Sequence, residues 1–88
     1  MITFRLPMAR FQEMLRVVLG ADVPDALSNR VLMVCTRPRD GVTEVALEDD
    51  EALAIVTALV AAAERDAELR DTAILLAEQA ASAAPGHE

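Results

Sequence analysis

A long apolar segment without glycine or proline most constrains how this chain can fold. No Gly or Pro occurs between Asp49 and Pro85, and the apolar run 52–63 is interrupted only by Thr57. Four consecutive acidic residues, 48–51, precede this run, where the positive end of a helix dipole favours negative charge. The pattern therefore predicts a single helix over residues 49–83, about 52 Å long at 1.5 Å per residue.

This predicted helix carries apolar residues on two opposite sides. One line consists of Leu53, Val56, Val60, Ala63 and Ala67, and the other of Ile55, Leu59, Ala62, Leu69 and Leu76. The two lines are offset by two residues, which is about 200° around a helix. The rest of one small chain can cover only one side, so we expect the second line to form the interface of a homodimer.

An alternative is that the helix breaks within residues 64–66 or at Asp71, where Thr72 follows. Asp71 would then serve as the N-cap of a new helix. The two pieces would fold back as a helical hairpin and bury both apolar sides within one chain.

The first half of the chain combines strand and helix patterns. Residues 2–6 alternate as a half-buried strand, and 8–19 show the three- and four-residue spacing of an amphipathic helix that stops at Gly20. Residues 31–36 are apolar on both faces and predict a central strand. Residues 42–47 predict a third strand, joined to the second by a tight turn at Asp40 and Gly41.

These elements predict an α+β fold with the order β-α-β-β-α. The first two strands would be parallel neighbours, connected by a right-handed crossover through the first helix. The expected architecture is a three-stranded sheet with helices on one face and a long C-terminal helix. With 88 residues, the chain is long enough for one domain, which we assign to 1–84, followed by a flexible tail at 85–88.

The charge of the chain is divided unevenly. Residues 1–43 hold six Arg and four acids, a balance of +2, whereas residues 44–88 hold two Arg and eleven acids, a balance of −9; the sum is the net charge of −7. An acidic chain without lysine argues against general binding to nucleic acid or to an anionic membrane. The arginines beside the predicted turn, Arg37 and Arg39, are candidate contacts with an acidic protein partner, although solvated turn arginines would show the same pattern.

The residues needed for common catalytic and metal sites are sparse. The only histidine, His87, is the penultimate residue, and the only cysteine, Cys35, lies in an apolar run. The three glycines are scattered, so no phosphate-binding loop is predicted. We expect no catalytic, cofactor-binding or metal-binding residues, and therefore no enzyme. The lone cysteine and the absence of a signal-peptide pattern favour a cytoplasmic location.

The sequence thus favours a non-enzymatic, homodimeric interaction module that engages a larger protein as an adaptor or regulatory subunit. The alternative is a small-ligand or substrate-binding subunit of an enzyme complex. Its pocket would lie between the sheet and the helices, lined by Met8, Met14, Met33 and Cys35.

Overall fold

A computed structural model describes residues 1–20 and 23–83. The elements run in the order β1 (Ile2–Pro7), α1 (Met8–Val18), α2 (Asp25–Val34), β2 (Val42–Leu47), α3 (Asp49–Ala63), a 3₁₀ helix (Ala67–Leu69) and α4 (Arg70–Ala83). The predicted tail at 85–88 lies outside the described residues.

The two strands form an antiparallel sheet, in a register that runs from the pair Ile2 and Leu47 to the pair Pro7 and Val42. Alternate side chains of both strands point to one buried face, as period-two patterning requires. These buried residues are Ile2, Phe4, Leu6, Thr43, Val45 and Leu47. The mixed α+β character therefore holds, but the expected three-stranded sheet is wrong, because the described residues contain only these two named strands.

The predicted central strand at 31–36 is instead mostly the second half of α2. This helix begins after Pro24, with Asp25 in its first turn, and runs through Val34. Val31 is buried, whereas Leu32 and Met33 are exposed, so the apolar run does not have two buried faces. Just past the helix, Cys35 forms an isolated bridge to Val45 of β2, and the backbone N–H of Thr36 donates a 2.9 Å hydrogen bond to the carbonyl oxygen of Glu44. The expected parallel crossover is therefore also wrong.

The tight turn at Asp40 and Gly41 is confirmed. Both residues have positive φ angles, 54° and 77°, as a type I′ turn requires. Arg39 and Val42 flank the turn and exchange two backbone hydrogen bonds, of 2.8 and 2.9 Å. The turn leads from the extended segment after α2 into β2.

The expected continuous C-terminal helix is wrong, and the alternative hairpin describes the chain better. Helix α3 ends at Ala63, and the backbone of Asp66 is extended. The Asp66 carboxylate then accepts a hydrogen bond of 3.0 Å from the backbone N–H of Glu68, which starts the 3₁₀ helix before α4. The chain reverses there, and its longest dimension is 33 Å, too short for a continuous helix of about 52 Å.

The hydrophobic core lies between the inner face of the sheet and helices α1, α3 and α4. Phe4 and Leu6 from β1 meet Met14 from α1 in one cluster of fully buried side chains. Leu59 from α3 and Leu76 from α4 belong to the same cluster. The two arms of the hairpin therefore bury each other and the sheet in a single core.

A side chain from α4 covers part of the free edge of β1. The Gln79 amide accepts a 2.7 Å hydrogen bond from the backbone N–H of Arg5 and donates a 2.8 Å bond to its carbonyl oxygen. These two bonds replace those that a third strand would make. They reduce the tendency of this edge to pair with another chain.

Ion pairs within the chain join some of the basic residues of the first half to acidic residues of the second. Within the described residues, arginines of the first half pair with acids of the second half in four places: Arg5 with Glu44, Arg10 with Asp71, Arg16 with Asp66, and Arg30 with Glu51. The N–O distances are 3.1 to 3.9 Å, and most of these side chains are substantially exposed. Each pair contributes little stability on its own, because solvent screens exposed charges.

We expect Thr43→Val to stabilise the protein by about 1 kcal/mol, raising Tm by about 4–8 °C. Thr43 is 1% exposed, and within the described residues its hydroxyl has no hydrogen-bond partner. Valine keeps the shape and the β-branching while removing the buried polar group. Thermal and urea unfolding would measure the change, with Thr3→Val at an exposed site of β1 as the matched control. If Thr43→Val were less stable than the parent, the Thr43 hydroxyl would have a hydrogen-bond partner.

Candidate protein-interaction surfaces

The residues predicted to form a dimer interface lie mainly inside the single chain. Ile55, Leu59, Leu69 and Leu76 are buried in the core, and Ala62 is half-buried against it. A second copy could not reach the buried residues without opening this fold. Homodimer formation itself stays a prediction, and any interface would have to use other side chains.

The opposite side of α3 is the one that faces outward. Leu53 is 64% exposed and Val60 is 46% exposed, although both belong to the line expected to face the sheet. We define the outward face of α3 as Leu53, Ala54, Thr57, Val60 and Ala61, all of which are exposed. Both apolar lines are present in α3, but Leu53 and Val60 face outward instead of toward the sheet.

A groove of about 590 Å³ runs beside this face. Its floor is formed by α3 residues Leu53, Ala54, Thr57, Ala58 and Ala61. Its wall consists of Val23, Pro24 and Leu27, at the start of α2. Two charged residues also line it: Asp50 in the first turn of α3 and Arg65 just beyond the last turn. The lining of the groove is therefore mostly apolar, with one acidic and one basic residue.

A smaller groove of about 270 Å³ lies on the other side of Val60, between α3 and α4. It is lined by Val60, Ala63, Glu64, Arg70, Ala73, Ile74 and Ala77. Ile74 is another exposed large apolar side chain. Together with the outward face of α3, this groove widens the apolar surface of the hairpin, a feature typical of interaction sites.

Arg37 and Arg39 lie at a different surface, around an open cavity of about 740 Å³. The cavity is lined by Arg5, Thr36, Arg37, Pro38, Arg39, Asp40, Val42 and Glu44. Arg5 is engaged by Glu44, with 3.1 Å between Nε and Oε2. Neither Arg37 nor Arg39 has an ion pair or side-chain hydrogen bond to any part of the chain that the structure describes. Their guanidinium groups are available to an external acceptor.

The residues considered for a ligand pocket do not line a common cavity. Met14 is fully buried in the core, whereas Met33 is 81% exposed on α2. Met8 is half-buried against the core, and the Cys35 thiol lies 3.5 Å from the Leu32 carbonyl oxygen. Four cavities on the surface of the described residues are lined by other side chains.

The acidic cluster at 48–51 serves the start of α3. The Glu51 carboxylate accepts a 3.0 Å hydrogen bond from the backbone N–H of Glu48, as in a capping box. The same carboxylate lies 3.6 Å from Nε of Arg30 on α2. Across residues 1–20 and 23–83, no three His, Cys, Asp or Glu side chains are close enough together to hold a metal ion.

One polar cluster fixes α4 against α1. The buried Thr72 hydroxyl donates a hydrogen bond to Oε1 of Glu13, and Nη1 of Arg10 lies 3.0 Å from the same oxygen. The Thr72 hydrogen bond is the main reason that the pKa of Glu13 lies below its ordinary value. Burial opposes this shift, and the charges of Arg10 and Arg16 support it. The polar groups of Thr72, Glu13 and Arg10 bind one another, so we interpret this cluster as a structural contact between α1 and α4.

Comparisons with known protein families, with curated proteins and with solved structures found no match for this chain. The functional assignment therefore rests on the surfaces described above. None of the helices in the described ranges has the length and apolar character needed to cross a membrane.

Proposed function

We propose that this protein is a non-enzymatic interaction module, which acts as a homodimer and engages a larger protein as an adaptor or regulatory subunit. The observation that carries the proposal is the outward face of α3. Helix α3 buries Ile55 and Leu59 completely in the core, yet it leaves Leu53 and Val60 exposed. A contiguous exposed apolar patch supports a protein contact.

The surface around Arg37 and Arg39 supports a second contact, with an acidic partner. This chain has fifteen acidic residues for eight arginines, and arginines such as Arg5 and Arg16 form ion pairs with carboxylates. Arg37 and Arg39 form none within the described residues, although they stand two residues apart at the rim of one cavity. Guanidinium groups bind carboxylates through paired hydrogen bonds. The partner we propose therefore presents Asp or Glu side chains, and the complex would form in the cytoplasm.

Charge reversal at this surface tests the proposed partner contact. A protein that co-purifies with the tagged chain from its native host would first be identified and then titrated against the purified variants. We expect Arg37→Glu and Arg39→Glu each to weaken binding about tenfold, because repulsion replaces attraction to the partner's carboxylates. Raising the salt concentration should weaken binding of the parent more than that of either variant.

The matched control is Arg16→Glu, which reverses an exposed arginine of α1 that lines none of the grooves described above and whose ion pair with Asp66 contributes little stability. Its binding should stay within about twofold of the parent, because it keeps both rim arginines. Equal binding by all three variants would remove Arg37 and Arg39 from the contact. A parent protein that retains no specific partner would contradict the adaptor role.

A further inference from the structure

The smaller groove, between α3 and α4, combines large exposed side chains with a recess. Val60 and Ile74 line it and are 46% and 50% exposed. The small side chains Ala63, Ala73 and Ala77 form the rest of its apolar lining. The groove therefore presents apolar side chains to a partner and has about 270 Å³ of space for the partner's own apolar side chains.

A stripe of residues runs along each of the two helices beside this groove. The α3 stripe consists of Leu53, Thr57, Val60 and Glu64, and the α4 stripe consists of Arg70, Ile74, Ala77 and Ala81. All of these residues are exposed except Ala77, which is half-buried. Both stripes advance by four, three and four residues, the spacing that keeps side chains on one side of a helix. The two stripes therefore match each other when two helices face each other antiparallel.

The antiparallel register gives the facing pairs Leu53 with Ala81, Thr57 with Ala77, Val60 with Ile74, and Glu64 with Arg70. The first pair sets a large side chain against a small one, and the third brings two β-branched side chains together, as packed helices require. The Thr57 hydroxyl donates a 2.8 Å hydrogen bond to the Leu53 carbonyl oxygen of its own helix, so it can be covered without losing a partner.

The fourth pair selects the occupant. Neither Glu64 nor Arg70 has an ion pair or side-chain hydrogen bond to any part of the chain that the structure describes, and both line the groove. Glu64 follows α3 with helical angles, φ −67° and ψ −26°, at the helix end whose dipole disfavours a carboxylate. Arg70 begins α4, where the dipole disfavours a cation. A second copy would supply the opposite charge to both residues.

A two-fold axis parallel to the groove brings these charges together. Rotation about such an axis exchanges the two sides of the groove and keeps each residue's position along it. Helix α3 of each copy therefore lies on α4 of the other, and the two run antiparallel, as they do within the hairpin. Glu64 of each copy then lies opposite Arg70 of the other. An axis across the groove would instead stack α3 on α3 and would leave both charges without an opposite partner.

We propose that the protein forms a two-fold dimer in which α3 of each copy packs against α4 of the other, with Glu64 and Arg70 paired across the interface. This inference rests on the homodimer in the proposed function and names its surface. It replaces the interface expected from the sequence, which lies largely in the core. Because a two-fold interface uses the same patch on both copies, every contact occurs twice.

The area of the two stripes limits the strength of this dimer. From Leu53 to Glu64 the α3 stripe is about 17 Å long, and two helices side by side are about 20 Å wide. This footprint of about 340 Å² per copy is small beside the roughly 800 Å² that each partner buries in a standard interface. We therefore expect a reversible dimer with a dissociation constant on the order of 100 µM.

Sedimentation equilibrium of the intact protein between about 5 µM and about 1 mM covers this dissociation constant. The average mass should rise from near 9.5 kDa toward twice that value as the concentration increases.

The test of the pairing uses two charge-reversal variants, Glu64→Arg and Arg70→Glu. Each alone places like charges opposite each other at two points of the interface, so each should raise the dissociation constant about tenfold. Both variants set a charge at the helix end that favours it, so a loss of dimer cannot be due to a weakened helix.

An equimolar mixture of the two variants should dimerise as the parent does, because every pair across the mixed interface is again opposite in charge. The variants have net charges of −5 and −9, each two units from the parent's −7, so general attraction between them cannot explain a mixed dimer. The double variant Glu64→Arg/Arg70→Glu should also return to within about threefold of the parent.

Ile74→Glu tests the apolar part of the interface. We expect it to abolish the dimer while keeping the circular dichroism spectrum of a folded protein, since Ile74 is 50% exposed in one chain. The matched control is Met33→Glu, which makes the same change of charge at an 81% exposed side chain of α2 that lines neither groove beside α3. This control should dimerise as the parent does.

The outcomes separate this inference from the proposed function. A parent that dimerises while Glu64→Arg, Arg70→Glu and Ile74→Glu dimerise equally well would overturn this interface and leave the homodimer intact. A mixture that dimerises no better than the single variants would overturn the pairing of α3 with α4. A parent that stays monomeric up to about 1 mM would overturn both this interface and the homodimer, and would leave the groove to another protein.

Discussion

Leu59→Ala is expected to lower the free energy of unfolding by about 3 kcal/mol, which corresponds to a fall in Tm of about 12–24 °C. Leu59 is fully buried on α3, in the cluster that joins the sheet, α1 and α4. Truncation removes apolar contacts and leaves a cavity that the surrounding helices and strands fill only in part. For a domain of this size, the loss is a large share of the total stability, so partial unfolding at 37 °C is expected.

The matched control is Leu32→Ala, the same substitution in α2 at a side chain that is 49% exposed. It should cost less than about 1 kcal/mol, because little new cavity forms. Urea unfolding followed by circular dichroism measures both variants on one scale. If Leu59→Ala had the same Tm as the parent, Leu59 would not be packed in the core. The prediction that Leu59 belongs to an intermolecular surface would then regain support.

Thr72→Val is expected to lower the free energy of unfolding by about 1–2 kcal/mol at neutral pH. The substitution keeps the buried volume but removes the hydroxyl that donates to the Glu13 carboxylate. Glu13 retains Arg10, whose Nη1 lies 3.0 Å away, so the carboxylate is only partly deprived of partners. The loss would loosen the contact between α1 and α4.

The cost of Thr72→Val should depend on pH. The pKa of Glu13 is lower in the folded protein than its ordinary value, chiefly through the Thr72 hydrogen bond. The ionised carboxylate therefore stabilises the fold above the ordinary pKa, and this stabilisation is lost as the pH falls through the folded pKa. The difference in unfolding free energy between the parent and Thr72→Val should narrow over that acidic range.

A double-mutant cycle with Glu13→Gln isolates the interaction. In the Glu13→Gln background, Thr72→Val should cost less than in the parent and show little pH dependence, because the charged acceptor is absent. An equal cost at every pH in both backgrounds would mean that Thr72 contributes through packing alone.

The strand predicted at residues 31–36 is wrong because the apolar run there is short. Six apolar or small residues in succession fit either a buried strand or a helix, because periodicity over so few positions does not separate the two. The signal for α2 lay just before the run, where Pro24 and Asp25 form a helix start and Leu27, Val31 and Val34 share one side. Extending the window to Pro24 would have favoured the helix.

The error over residues 49–83 has a different cause. Charged residues at 64–66 are compatible with a continuous helix, and local propensity does not oppose one. The gain from folding α4 back onto β1 and α3 is tertiary, since it buries Leu69, Ala73 and Leu76 in the common core. Long-range burial of this kind outweighs the few backbone hydrogen bonds lost at the break.

The sequence by itself determined the features that depend on local patterns. The alternation of β1 and β2, the spacing of α1, the helix start at 48–51 and the positive-φ turn at Asp40 and Gly41 all follow from neighbours along the chain. Only the tertiary structure decided where the hairpin reverses and which apolar side of α3 faces the core. It also decided which arginines form ion pairs with carboxylates. The physical reason is that burial is non-directional: a helix that is apolar all round gains from burying either side, and only the surrounding elements select one.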